Sequence, residues 1–141
     1  MKAQHIREYV YLFAAVDPFT GEFSSLIYPE ANAESMSAFL KIVATEFPTD
    51  HILMVLDGAG FHRADDLDIP KSIRLQFLPP YCPELNCAEH VWEELREKEF
   101  ANRAFGHIDP MIEQLRSGTK RAHEDRDRIR SLCGFHWIIN I

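Results

Sequence analysis

The chain has 141 residues, of which 46% are hydrophobic and 26% charged, a composition typical of one globular domain. Its net charge of −7 argues against a domain that holds DNA with a basic face of its own. No apolar run approaches the roughly 20 residues of a membrane span, and residues 1–5 lack the apolar core of a signal peptide. We therefore expect a cytoplasmic protein with no membrane partner.

The chain contains three cysteines, Cys82, Cys87 and Cys133. No two of them are separated by only two residues, and their odd number leaves one unpaired, so neither a disulfide framework nor a zinc knuckle is predicted. A soft-metal site built from Cys82, Cys87 and His90 has only weak support from such loose spacing. Six basic residues between positions 116 and 130 are mixed with acids, and we interpret them as a solvated helical surface.

The first predicted unit is a β-hairpin over residues 9–28. Tyr9–Val16 is a continuous run of apolar and aromatic residues, which predicts a strand covered on both faces. Asp17–Gly21 has the residues of a turn: an aspartate that can bond its own backbone, a proline, and a glycine that tolerates positive φ. Glu22–Tyr28 is then the returning strand. We assign Asp17 to the turn rather than to catalysis.

A core of alternating helices and strands is predicted over residues 33–100. Asn32 is the expected N-cap of a helix with apolar side chains at helical spacing, which Pro48 ends. Ile52–Leu56 is expected to be a buried strand and Ile73–Leu78 the next one, with residues 65–68 in a loop or a short helix. The resulting order, β-β-α-β-(α)-β-α, predicts an α/β fold in which helices cover a mixed sheet.

Three more helices are predicted in the rest of a single domain. The first follows Asn86 and buries a stripe of residues at helical spacing. Asp109 and Pro110 are expected to open the second as N-cap and first residue, and Glu124–Leu132 is the third. The tail, residues 134–141, is apolar enough that we expect it to pack on the domain or on a partner. The last two of these helices and the tail together span residues 107–141.

Two acids have positions that suit a divalent-metal site. Asp57 closes the apolar run Ile52–Leu56, and ligands of α/β proteins bind beyond the carboxyl ends of strands. Glu89 lies near the start of the helix that follows Asn86. Structural alternatives remain open at this point, since Asp57 suits a turn and Glu89, three residues after an N-cap, suits a capping box. His62 and His90 are likewise more often surface or capping residues than ligands.

A long motif adds evidence that spacing alone does not give. VLDGAGFH at residues 55–62 and FLPPYCPELNCAEHVW at residues 77–92 resemble the IS630/Tc1-mariner transposases at nearly every motif position. The resemblance implies an RNase H-like fold and a DDE set of acids that cuts and joins DNA with two Mg²⁺ or Mn²⁺ ions. Asp57 matches the second acid and Glu89 the third, both catalytic and metal-binding. His62, Pro83 and Asn86 are supporting motif positions.

The chain departs from the family pattern in three ways. Cys87 and Ala88 replace a proline and an isoleucine, and Cys82 replaces a serine of the turn. In the family, the first catalytic aspartate and a helix-turn-helix lie upstream of the strand that matches Tyr9–Val16. The resemblance therefore implies a C-terminal fragment that lacks the fold's first strand and is inactive alone. Either Tyr9–Val16 pairs with Ile52–Leu56, or a strand edge stays open and invites pairing with another chain. We expect the isolated chain to be marginally stable or to associate.

Three functions follow as hypotheses. The first is the catalytic-domain fragment of a transposase, which reaches transposon-end DNA through the full-length protein or through a separate N-terminal piece. The second is a non-enzymatic remnant that associates with intact transposase and modulates it. The third is a stand-alone metal nuclease, which requires a substitute acid such as Asp17, Asp65 or Asp66.

Overall fold

A computed structural model describes residues 10–57, 65–79, 87–100 and 108–133. Strands and helices alternate in the order predicted from the sequence, and none of the helices described is long and apolar enough to cross a membrane. The elements are β1 (Tyr11–Val16), β2 (Phe23–Tyr28), α1 (Ala33–Glu46), β3 (Ile52–Leu56), β4 (Ile73–Phe77), α2 (Cys87–Leu95), a π-helical turn (Arg96–Phe100), α3 (Ile108–Glu124) and α4 (Arg126–Cys133).

The turn between β1 and β2 confirms the assignment of Asp17. Its carboxylate oxygen Oδ1 accepts hydrogen bonds from the backbone N–H groups of Phe19 (2.9 Å) and Thr20 (3.3 Å). Gly21 donates its N–H to the carbonyl of Asp17 at 2.8 Å and has φ +78°, which favours glycine. The two strands then pair in antiparallel register from Val16 opposite Phe23 onwards. Asp17 is thus a turn residue.

Side chains of β1 alternate between two hydrophobic cores, as its continuous apolar sequence predicted. Phe13 and Ala15 face the first core, and Leu12, Ala14 and Val16 face the second. The buried side chains of the first core come from β1, α1, β3 and β4: Phe13, Met36, Phe39, Leu40, Val43, Met54, Leu56 and Ile73. Those of the second come from β2, α2 and α4: Phe23, Val91, Leu95, Ile129 and Cys133.

Helix α1 has the predicted N-cap and a feature that was not predicted. The side-chain oxygen of Asn32 accepts a hydrogen bond from the N–H of Ser35, and the Ser35 hydroxyl accepts one from the N–H of Asn32, both at 2.9 Å. This reciprocal pair is a capping box with serine in the usual place of glutamate. The helix ends at Glu46, before Pro48, with Phe47 as its C-cap.

The predicted single mixed sheet is absent from the residues described. β1 and β2 form an antiparallel pair, and β3 and β4 form a separate parallel pair. The two pairs are held together by side chains because both contribute to the first core beneath α1. Of the two expected outcomes, β1–β3 pairing and an open edge, the described strands show the second. The edge of β3 away from β4 has no strand partner among them.

The prediction that β3 is buried is correct for only one of its faces. Met54 and Leu56 lie in the first core, whereas Leu53 is 61% exposed and Val55 48% exposed. The reason is the placement of the second core, which rests on the outer face of the β1–β2 hairpin. No residue of β3 belongs to that core in the described part of the chain. Leu53 and Val55 therefore stay at the surface.

The boundaries of the last two helices differ from the predictions. Helix α3 begins at Ile108, so Asp109 and Pro110 lie inside its first turn, where a proline is tolerated because its missing N–H would have no helical partner. The next helix begins at Arg126 rather than Glu124 because Asp125 separates it from α3. The N–H of Asp125 donates to the carbonyl of Arg121 (3.1 Å), and Asp125 Oδ1 accepts from the N–H of Arg128 (3.1 Å).

The hairpin turn packs against the corner between α3 and α4. Glu22 forms an ion pair with Arg126 at 3.8 Å. His123 Nδ1 lies 2.7 Å from the carbonyl oxygen of Phe23, so the ring donates a hydrogen bond to the backbone of β2. Gly21 is buried against the backbone of Arg126. These contacts fix the C-terminal helices on the outer face of the hairpin.

Gly21→Ala should lower the free energy of unfolding by about 2 kcal/mol or more. A Cβ at this position would overlap the carbonyl oxygen of Arg126, and the residue would keep a positive φ. Urea denaturation monitored by circular dichroism measures the change. Phe19→Ala in the same turn is the control because that side chain is 57% exposed. Equal stability of the two variants would contradict the close approach.

Candidate functional site

Asp57 lies where the parallel strand pair ends. It follows β3 directly and is exposed. The N–H of Leu78 donates to the carbonyl of Leu56 at 2.7 Å, which extends the β3–β4 ladder to this point. Parallel strands present their carboxyl ends at one edge, the edge at which α/β proteins bind ligands. The sequence-based placement of Asp57 at the end of a strand is therefore correct.

Glu89 lies in the first turn of α2 and is exposed. Val91 (2% exposed) and Leu95 (7%) anchor α2 in the second core. Helix α2 begins at Cys87, directly after Asn86, as the sequence predicted. The side chain of Glu89 forms no hydrogen bond or ion pair with another described residue. Its carboxylate is thus presented to solvent at the N-terminal end of a well-anchored helix.

The remaining predicted site residues divide into two groups. His62, Pro83 and Asn86 lie outside the described residues. Asp65 and Asp66, the possible substitute acids, are exposed in a turn before β4. Across residues 10–57, 65–79, 87–100 and 108–133, no three His, Cys, Asp or Glu side chains form a group that could hold a metal ion. The metal-binding role of Asp57 and Glu89 therefore stays a prediction.

Glu94 is at the centre of an ion-pair cluster that sequence analysis missed. Its side chain is 16% exposed, and Oε1 accepts from the guanidinium of Arg128 and contacts Lys98 Nζ at 3.3 Å. The hydrogen bond from Arg128, followed by the contacts with Lys98, lowers the pKa of Glu94. The spacing of Glu94 and Lys98 is visible in a helical sequence. Arg128, which ties α4 to α2, is 34 residues away and has no such signal.

A cavity of about 150 Å³ opens beside this cluster, between α2, α3 and α4. Its lining combines apolar side chains with charges of both signs, and neither Asp57 nor Glu89 contributes to it. The residues that line it are Val91, Glu94, Leu95, Lys98, Gly118, Arg121, Ala122, Asp125, Arg128 and Ile129.

Two of the three cysteines meet, which the sequence did not predict. Cys133 Sγ lies 3.4 Å from the carbonyl oxygen of Cys87, and Cys87 Sγ lies 3.9 Å from that of Cys133. Both are free thiols. A hydrogen bond between the thiols lowers the pKa of Cys87 against the effect of its burial. The same hydrogen bond, together with burial, raises the pKa of Cys133.

Comparison with known proteins decides the family. The family model described as DDE superfamily endonuclease matches residues 1–112, which include both Asp57 and Glu89. The chain belongs to this family. Membership in this family agrees with the α/β arrangement of helices and small sheets, and it confirms the DDE endonuclease family that the motif predicted.

A relative matches the chain over a length similar to that of the family model. An uncharacterized protein of Sinorhizobium fredii, y4pE/y4sA, is 35% identical over 105 residues, covering 74% of this chain and 78% of the relative. No solved structure matches the chain. Helix α4, with Arg128 and Cys133, lies beyond the part of the chain that the family model covers.

Glu94→Gln should make the domain less stable at neutral pH, and the difference should shrink in acid. The pKa of Glu94 is lowered in the folded state, so its stabilising effect is present above the unfolded pKa of about 4.3. The stabilising effect is lost as the pH falls through the lower pKa that Glu94 has in the folded state, because protonation removes the charge that Arg128 binds. Urea midpoints at a series of pH values, compared with those of wild type, measure this.

Glu93→Gln is the matched control because Glu93 is an exposed neighbour on the same helix. It should leave the midpoints close to wild type throughout. A Glu94→Gln difference that stays constant down to acid pH would show that the charge of Glu94 does not stabilise the fold.

Proposed function

We propose that this chain provides two of the acids of an IS630-type transposase catalytic domain, Asp57 and Glu89, on an RNase H-like α/β framework. One observation carries the proposal. Asp57 follows a strand of a parallel pair, and Glu89 lies on the first turn of the helix that comes next after that pair. Both carboxylates are exposed and both lie in the part matched to DDE endonucleases. The substrate is DNA at transposon ends, in the cytoplasm.

The donor chemistry of the two acids fits Mg²⁺ or Mn²⁺. These ions prefer oxygen ligands and keep several waters, so one or two carboxylates at the surface suit them. When bound, a pair of such ions stabilises the attacking and leaving oxygens of an in-line phosphodiester displacement. Asp57 and Glu89 would hold the ions through their carboxylate oxygens. The backbone supports this, since both side chains project from defined positions, the end of a strand and the first turn of a helix anchored by Val91 and Leu95.

We further propose that the 141 residues do not cut DNA alone. The resemblance implies three acids, and this sequence matches two of them. Asp17 does not replace the unmatched first acid, because its carboxylate is used by the backbone of its own turn. Another carboxylate, from elsewhere in the protein or from a second chain, has to complete the site. The net charge of −7 supports the view that most of the grip on DNA also comes from outside these residues.

Mn²⁺ binding tests the two acids directly. Titration of the chain with Mn²⁺, followed by the loss of the free-ion electron paramagnetic resonance signal, should show weak binding that Asp57→Asn or Glu89→Gln reduces about tenfold, since each removes a charged ligand. Asp50→Asn, just before β3, and Glu93→Gln, on α2, are matched exposed controls and should change nothing. Equal effects of all four would mean that only general negative charge binds the ion.

Plasmid nicking in Mg²⁺ or Mn²⁺ tests the incomplete site. The purified chain should give no nicking above background. Nicking that persists in Asp50→Asn and Glu93→Gln but disappears in Asp57→Asn and Glu89→Gln would contradict the proposal that the site is incomplete. The same result would support the catalytic role of Asp57 and Glu89. The two parts of the proposal can therefore fail separately.

A second candidate function is a chain that associates with intact transposase, or with itself, and modulates it without catalysis. The observation in its favour is the uncovered part of β3. One edge of β3 has no strand partner among the described residues, and Leu53 and Val55 are exposed on its outer face. An open edge beside exposed apolar side chains is a template for pairing with another chain.

Leu53→Lys should shift the chain towards the monomer. Light scattering after size exclusion should show a mass that rises with concentration for wild type and less so for the variant, because a charge on this face opposes association. Phe19→Lys is the control, since Phe19 is equally exposed but lies in the hairpin turn. A wild-type chain that is monomeric at every concentration and melts cooperatively would overturn the self-association.

A further inference from the structure

Cys87 and Cys133 lie opposite each other at the ends of two helices. Cys87 is the first residue of α2 and Cys133 the last of α4, 46 residues later. Each sulfur is directed at the backbone carbonyl of the other residue, at 3.4 Å and 3.9 Å. Such reciprocal contacts place the two side chains between the two backbones. Rotation about the Cα–Cβ bonds is the movement that would bring the two sulfurs together.

The two thiols differ in their access to solvent. Cys133 is fully buried in the second core, with 0% exposure, whereas Cys87 is only partly buried. A small oxidant in solution therefore reaches Cys87 first. Among the cysteines that the structure describes, Cys133 is the thiol beside the oxidised sulfur, and it is already in contact with the Cys87 backbone.

We propose that Cys87 and Cys133 form a peroxide-sensitive dithiol whose oxidised state is an intramolecular disulfide. Hydrogen peroxide oxidises the Cys87 thiol to a sulfenic acid and leaves as one water. The Cys133 sulfur then attacks the Cys87 sulfur, the S–O bond breaks, and a second water leaves with the thiol proton. The two thiols lose two electrons and two protons in total, and the peroxide is reduced to two waters. Small thiols reverse the reaction by exchange.

This dithiol goes beyond the proposed function and does not depend on it. The disulfide would fasten the first turn of α2 to the end of α4 in any role the domain has. Glu89 is two residues along the same turn, so oxidation would restrict the segment that presents it. The bond also closes a long loop and therefore should raise the midpoint of thermal unfolding by about 5 °C or more.

The test uses the full chain with Cys82→Ser in every variant, so that only the pair can form an intramolecular bond. After treatment with hydrogen peroxide and alkylation in denaturant, the Cys82→Ser chain should carry no alkyl groups and weigh about 2 Da less than the reduced chain. The folded chain should form the bond at least tenfold faster than the same chain in urea. Equal rates, disulfides between molecules, or an oxidised Cys87 beside an alkylated Cys133 would each overturn the proposal.

Two controls assign the roles of the sulfurs. Cys87 in the Cys82→Ser, Cys133→Ser chain should be alkylated at least tenfold faster than Cys133 in the Cys82→Ser, Cys87→Ser chain, because only Cys87 reaches solvent. Comparable rates would contradict the proposed order of attack. If a variant does not fold, peptide mapping of the oxidised wild-type chain decides the matter, since it identifies the linked pair among all three cysteines.

Discussion

The structure depends on β1 being covered on both faces. Phe13 and Ala15 on one face meet α1, β3 and β4, and Leu12, Ala14 and Val16 on the other face meet α2 and α4. Side chains of this one strand pack in both cores, so neither core can form without the hairpin. Its turn has to be stable for the same reason, and the hydrogen bonds of Asp17 together with the positive φ of Gly21 provide that stability.

The elements that the sequence predicts best are those whose signal is local. The continuous apolar run of β1, the turn at Asp17 and the N-cap at Asn32 are each signals from residues within a few positions of one another. Predictions that depend on distant partners succeed less well. The single mixed sheet fails because strand order is set by long-range packing, and the exposed face of β3 arises because α2 and α4 pack on the hairpin instead.

The candidate site shows the same division between local and distant information. The end of β3 and the start of α2 are local features, so Asp57 and Glu89 could be placed on their elements from sequence alone. Whether they share a metal ion depends on the path of residues 58–64 and 80–86, which no local rule fixes. Glu94 and Arg128 are 34 positions apart, and Cys87 and Cys133 are 46 positions apart. No local sequence pattern predicts either contact.

Helix α2 is positioned both by its own buried side chains and by residues of α4 that lie far along the chain from Glu89. Val91 and Leu95 hold its inner face on the second core, and Arg128 holds Glu94 from α4. Both Arg128 and the buried Ile129 lie beyond residue 112, where the match to DDE endonucleases ends. A carboxylate that binds metal has to be held within a fraction of an ångström. In the site proposed above, α4 would therefore help to position Glu89 through its contacts with α2, although α4 itself carries neither Asp57 nor Glu89.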